Sequence, residues 1–276
     1  ATGNLSAITW NTAANGSGSN QVPTSADTLV ANGYNITLDA SYSFVQLKQT
    51  LNGGTFIPAS ATTLTLTDST TGLVSGSGVT PPVVTHSGSG VANIVGLLVG
   101  TTYTSPLIGV TGSGTLNVTT NSLLGQATYL AGVLSISGSG CTVNITAGQI
   151  VGGTNGPAIY SASSATLTVN GPQTAGTLPA IQNSGAATIT LNGTSTASAA
   201  ANAVSNTNAS AIVKASGPLI NNGRRMVIYS PILQIGSAST YMGAVDYNLN
   251  ARNLYTADTV GGNPAIANVR HGTVYG

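Results

Sequence analysis

Two adjacent stretches of this chain repeat each other almost residue for residue. Gly156-Pro157-Ala158-Ile159-Tyr160-Ser161 followed by Ala165-Thr166-Leu167-Thr168-Val169-Asn170-Gly171 recurs as Leu178-Pro179-Ala180-Ile181-Gln182-Asn183 followed by Ala187-Thr188-Ile189-Thr190-Leu191-Asn192-Gly193. The offset from Ala158 to Ala180 is 22 residues. A third copy, displaced by 23 residues from Ala180 to Ala203, runs through Asn202-Ala203-Val204-Ser205-Asn206 and Ser210-Ala211-Ile212-Val213-Lys214. A looser fourth begins at Gly217-Pro218-Leu219-Ile220. Self-similarity at a period of 20 to 50 residues is the mark of a stacked-repeat architecture.

Each copy offers two short alternating runs separated by Gly, Ser or Asn, so one side of each strand is apolar and the other polar. One copy alone has nothing to bury its apolar side against. Stacking successive copies lets each strand pair with the coils before and after it, and the inward Ile, Leu, Val and Ala merge into one core. The same strand signature extends toward the N-terminus as Cys141 to Ile145, Gly114 to Val118, Val91 to Ile94, Thr63 to Leu66 and Asn35 to Leu38, at spacings of 22 to 28 residues. An all-β fold, a parallel β-solenoid, is therefore expected. An immunoglobulin-like sandwich also offers many short strands, but its strands do not recur as matching sequence at a fixed period.

Composition narrows the function. Only 4% of the 276 residues are charged and the formal net charge is +1. With 41% hydrophobic residues spread among Thr, Ser, Asn and 36 Gly, the chain has the composition of sheet and not of a disordered segment. Its apolar stretches, such as Asn93 to Gly100, are far short of the roughly 20 residues of a spanning helix, so no membrane insertion is expected. No Lys or Arg lies between Lys48 and Lys214, which removes the clustered cations that nucleic-acid binding needs. Cys141 is the lone cysteine, so no intrachain disulfide can form, and Ala1 to Asn4 shows no secretory signal.

The two ends read differently from the middle. The single tryptophan, Trp10, is expected to cover the first coil. Beyond about residue 222 the repeat fades, and Arg224, Arg225, Arg252 and Arg270 are four of the six basic residues. Five of the ten tyrosines also lie there, among them Tyr229, Tyr241, Tyr247 and Tyr255. Tyr and Arg are enriched in protein interfaces, so these eight residues are candidates for contact with a neighbouring chain, or for a cap on the last coil. The organisation expected is a cap and first coil over residues 1–34, a solenoid over 35–222, and a cap or interface segment over 223–276.

The start Trp10-Asn11-Thr12-Ala13-Ala14-Asn15, the coils of Thr-x-Asn-Ile type and the run Pro264-Ala265-Ile266-Ala267-Asn268-Val269-Arg270-His271-Gly272-Thr273-Val274-Tyr275 resemble right-handed parallel β-helix proteins of tailed bacteriophages and some bacterial surface proteins. The resemblance implies right-handed winding and a homotrimer. It also implies a place on the exterior of a phage particle, as a tail fibre, spike or head decoration among other virion proteins and facing a host-surface glycan.

Many such proteins cleave polysaccharide, and that chemistry uses two carboxylates. This chain has no Glu, and Asp27, Asp39, Asp68, Asp246 and Asp258 leave residues 69 to 245 empty of acids. Asp27 and Asp39 sit where loop aspartates commonly cap turns. Lys48, Lys214, His86 and His271 are too dispersed to build a lyase site. No Cys or carboxylate stands at metal-ligand spacing from either histidine, and both are expected at the surface. Cys141 has no neighbouring base and reads as a small core residue. The Gly-Ser-Gly runs at 76, 88, 112 and 138 lack the Lys-Ser/Thr ending of a phosphate loop and read as coil corners. No enzyme, cofactor or metal is expected.

Two binding readings compete with a purely structural one. Tyr103, Tyr129 and Tyr160 on or near the coils could stack on sugar rings. The pairs Thr63/Thr65, Thr166/Thr168 and Thr188/Thr190 could align into a flat ladder facing ice, although Asn117 and Asn144 interrupt it.

Overall fold

The computed structural model describes residues 2–13, 18–68, 71–76, 82–96, 98–99, 106–125, 132–220, 227–230, 232–235, 241–242, 253–256, 269–270 and 273–274. They form a parallel β-solenoid with three faces. The first face is a ten-stranded parallel sheet whose members, in stacking order, run from Gly3–Asn4, Asn35–Leu38 and Thr55–Pro58 through Ile159–Ser161, Ile181–Asn183 and Val204–Asn206 to Ile228–Tyr229. The second face stacks Tyr42–Phe44, Thr62–Leu66, Val91–Val95, the first halves of Thr115–Leu124 and Thr142–Val151, then Thr166–Asn170, Thr188–Leu191 and Ile212–Ala215, and continues into Ile232–Ile235 and Asn253–Thr256. The third face has a separate three-stranded start of Thr28–Val30, Gln46–Lys48 and Leu73–Val74, followed by a run from Leu98–Val99 to Tyr241–Met242.

Pairing is in register by chemical type. On the first face Ile36, Phe56, Val84, Ile108, Leu134, Ile159, Ile181, Val204 and Ile228 lie one above another. On the second, Leu64, Ile94, Val118, Ile145, Val169, Leu191 and Ala215 form an equivalent inward column. Nearly all of these side chains are fully buried. Each large aliphatic taken from water contributes on the order of 1.5–3 kcal/mol, and each finds the same neighbour in the next coil.

The repeat seen in sequence is the repeat of the coil. Ala158, Ala180 and Ala203 follow one another along the stack, with the Ala158 N–H donating to Ala180 and the Ile181 N–H donating to Ala203. One strand signature changes place. Asn35–Leu38 lies on the first face, paired with Thr55–Pro58, whereas the strand beneath Thr62–Leu66 on the second face is Tyr42–Phe44. The first coils are irregular in length, with Ile36 beside Phe56 and Phe56 beside Val84, so alternation alone does not say which face a run belongs to.

Glycine makes the corners. A Cβ on Gly193 would strike the Gly171 carbonyl, and a Cβ on Gly217 would strike the Gly193 carbonyl, so the three turns nest with no room for a side chain. Gly112 and Gly138 continue the same device from Gly88 in the Gly-Ser-Gly corners. Gly193→Ala is expected to destabilise the fold by about 1–3 kcal/mol, the range for overpacking a closed site. The surface change Ser139→Ala should leave the urea midpoint almost unmoved, and equal midpoints for the two variants would contradict this account of the corners.

Candidate functional site

The outer surface of the second face is a regular polar array. Val91, Thr115, Thr142, Thr166, Thr188 and Ile212 form one outward column, and Asn93, Asn117, Asn144, Thr168, Thr190 and Lys214 form the next. Two of the three Thr pairs of the sequence align, Thr166 beside Thr188 and Thr168 beside Thr190, whereas Thr63 lies beside Asn93 and Thr65 beside Val95. Asn93, Asn117 and Asn144 occupy the rungs between Thr63 and Thr168 and make a ladder of their own. The Asn117 amide donates to Asn93 Oδ1 at 2.8 Å and the Asn144 amide to Asn117 Oδ1 at 2.9 Å. A parallel ladder starts at Asn170, whose Oδ1 accepts from Asn192 Nδ2 at 2.8 Å, and Ser216 Oγ donates to Asn192 Oδ1 at 3.1 Å.

A second polar ladder runs inside the solenoid. At the inward end of the first-face strands, His86, Val110, Ile136, Ser161, Asn183 and Asn206 are aligned. Asn183 Nδ2 donates to Asn206 Oδ1 at 2.8 Å, and Asn206 Nδ2 donates to Ser230 Oγ at 2.9 Å, all fully buried. On the third face Ser195 Oγ donates to Gln173 Oε1 at 2.7 Å, again in the core. The bonds made along these ladders satisfy groups that would each cost roughly 1–3 kcal/mol if left unpaired, although Ser161 Oγ and Asn183 Oδ1 are buried without a partner among the described residues.

The described carboxylates, Asp27, Asp39 and Asp68, are spent on local structure. Asp27 accepts from the Thr24 backbone N–H at 2.7 Å and the Thr24 hydroxyl at 2.8 Å, which holds its carboxyl below the ordinary value. Asp39 accepts from the Ser6 hydroxyl and backbone and from the Tyr42 hydroxyl, fastening the 3-10 turn Leu5–Ala7 that follows the first strand to the second coil. The Ser6 hydroxyl is the main reason its pKa lies low. Burial, helped by the Asp39 carboxylate, pushes the Tyr42 phenol up to about 12. Asp68 takes the Gln46 amide at 3.3 Å and the Thr71 N–H at 3.2 Å. Each of these three carboxylates closes a turn or joins coils, and no grouping of three or more metal-ligating side chains occurs among the described residues.

His86 departs from its expected surface position. Val84 and His86 are the inward positions of their strand, and the imidazole is 1% exposed, with no well-formed hydrogen bond at either ring nitrogen. Burial holds its pKa below the ordinary value, against a weaker opposing pull from the Gly90 backbone. Cys141 is also fully buried. Its thiol contacts the Gly138 carbonyl at 3.1 Å, and burial pushes its pKa up.

Among the tyrosines singled out by sequence, Tyr160 and Tyr229 lie on one outward column of the first face, with Gln182 and Ser205 between them. Tyr160 is half-buried, and its hydroxyl lies 3.1 Å from Ser184 Oγ. Tyr241 pairs with Leu219, Tyr255 with Gln234, and Arg270 with Thr273. Tyr103, Tyr129, Arg224, Arg225, Tyr247, Arg252 and His271 lie outside the described residues. No helix among the described residues is long and apolar enough to cross a membrane. No protein-family model matches the chain, and neither a characterised protein nor a solved structure shows significant similarity to it.

His86 gives the fold a pH dependence with a definite sign. A base whose folded pKa is depressed leaves the unfolded chain as the better proton acceptor. Its stabilising contribution is complete above the unfolded value near about 6.5 and is lost as pH falls from there toward the folded value. Asp27 and Asp39 act lower, because depressed carboxyls lose their contribution only as pH falls below about 4. Urea midpoints should therefore decline between about pH 6.5 and 4.5 in the native chain and stay flatter in His86→Val, with a shared decline below. Superimposable curves down to pH 4.5 would show that His86 does not titrate on unfolding.

Proposed function

We propose that this protein is a non-enzymatic structural component of a bacteriophage exterior, a fibre, spike or capsid decoration that contributes to attachment at the host surface. The observation that carries the reading is the unbroken in-register core. Ten strands stack on one face, and at about 4.8 Å per strand that spacing gives a stiff rod some 40 Å long. Each described carboxylate is engaged in holding a turn or joining coils, and the outer faces offer hydroxyls and amides in place of a catalytic pair. The resemblance of the Trp10 start and the Val269-Arg270 segment to phage β-helix proteins supports the same reading. So does the low charge, which suits a passive surface element.

In this reading the chain assembles as a homotrimer, because closed three-fold symmetry shields long flat faces. Arg224, Arg225, Tyr229, Tyr241, Tyr247, Arg252, Tyr255 and Arg270 supply contacts to sister chains or to other virion proteins. Antibody raised against residues 223–276 and applied to purified particles in negative stain should decorate the tail tip or the shell. Label at the tip assigns host attachment, label over the shell assigns reinforcement, and particles that carry none of the protein rule out the virion role. A monomer mass by light scattering would remove the trimer.

A second reading, a glycan-binding surface element of a phage or bacterium, is favoured by the outward column that carries Tyr160 and Tyr229 among Gln182 and Ser205. Stacking on sugar rings is worth roughly 1 kcal/mol per ring. Tyr160→Ala should then weaken binding to any glycan captured on an array by about five- to tenfold. Retained binding would place the contact elsewhere, and an array without signal would leave the structural role alone.

A further inference from the structure

A cavity of about 600 Å³ lies at the N-terminal end and plays no part in the reading above. It is a slot between two walls. One wall is the antiparallel hairpin of Trp10–Asn11 with Asn20–Gln21, together with Ile8 and Thr9 before it. The other is Thr28–Val30 and the two residues that follow. Leu29, Ala31 and Ile36, all buried, give it an apolar floor continuous with the core.

The second wall is an open sheet edge. Thr28–Val30 is the terminal member of its three-stranded sheet, and its one neighbour among the described residues is Gln46–Lys48. The Ala31 N–H donates to Lys48 and the Asp27 carbonyl accepts from Val45, both toward that inner neighbour. Backbone groups alternate from side to side along a strand, so the N–H and C=O of Thr28 and Val30 point the other way. Gln46, Leu47 and Lys48 do not line the cavity, which places it on the open side. Among the described residues the two strands of the hairpin pair with each other and not with this edge. Its Trp10 indole N–H is buried and has no hydrogen-bond acceptor.

We propose that the slot takes an extended peptide strand from another protein, added to Thr28–Val30 as the next rung of the third face. An unpaired edge is a template for strand addition, and although Asp27, Thr28 and Asn32 also bring polar side chains to this wall, the outward N–H and C=O of Thr28 and Val30 stand at strand spacing, which an extended peptide matches. The apolar floor selects an occupant with an aliphatic side chain at the central inward position, as Leu47 has beside Leu29. Asp27 also lines the slot, but its carboxylate is held by the Thr24 N–H and hydroxyl, and the floor of Leu29, Ala31 and Ile36 suits a segment uncharged at its inward positions. Carbonyls of the added strand would bring acceptors into the slot that holds the indole N–H.

The probe is a synthetic peptide copying residues 43–51 of this chain, the rung that already pairs with Thr28–Val30 on its other side. Added to the whole protein, it should change the fluorescence of the single tryptophan saturably and slow amide exchange at Thr28 and Val30 by about tenfold. The same peptide methylated on alternate backbone amides should bind at least about tenfold more weakly. Thr28→Pro and Val30→Pro test the edge from the protein side, since proline is tolerated on an edge strand where the missing N–H faces away from the sheet. Both variants should keep the native circular dichroism and lose about tenfold in affinity. No saturable change up to millimolar peptide, or equal binding by both variants, would overturn the proposal. So would an oligomer that dissociates in Val30→Pro, because the slot would then belong to a second copy of this chain.

Discussion

Everything in this molecule depends on the backbone rung between one coil and the next. A parallel rung fixes not only spacing but position, so that each residue's principal neighbour is the residue at the same place one coil along. Ile159 meets Ile181, Thr166 meets Thr188 and Asn117 meets Asn144. The core is therefore a set of columns, and a column works only if its members have compatible size and polarity. A buried polar group is tolerable where the next coil brings its partner, as Asn206 does for Asn183. Where the next coil brings an aliphatic, as Val110 does for His86, the column itself offers the polar group no partner.

The same rule explains what could be read from sequence. Between Gly156 and Lys214 the coil length is nearly constant, so identical columns appear as identical text, and the strands, their inward residues and the glycine corners are all visible there. Toward the N-terminus coil length varies while the columns persist, and Asn35–Leu38 reads as a member of the second face although it belongs to the first. The third face was hidden for a different reason. Its strands, such as Gln173–Thr174 and Ser195–Thr196, are two residues long, too short to show an alternation. His86 reads as a surface group because a lone polar residue among Ser, Gly and Thr gives no local hint that its strand turns it inward. The slot beside Thr28–Val30 has no sequence signature, since it is created by where a hairpin stops relative to a sheet edge.

The electrostatics follow from the architecture. A column of like residues would be a column of like charges if any inward or densely stacked outward position were ionised, with spacings of about 4.8 Å and mutual repulsion at every rung. Neutral hydroxyls and amides avoid this and bond along the column instead. The described carboxylates sit at turns, where Asp27 and Asp39 hold local hydrogen bonds and face no stacked copy of themselves. Scarcity of charge is thus a condition of close stacking as much as a statement about partners.

The nested glycine corners have one more consequence. Because coil-to-coil contact at Gly171, Gly193 and Gly217 is backbone on backbone, these corners recognise no particular side chain, only the shape of the previous turn. A duplicated coil inserted between two existing ones would meet the same surface above and below. The rod can therefore change length in quanta of about 4.8 Å while its cross-section stays constant, which makes reach a property that a lineage can adjust by copying a segment of some two dozen codons.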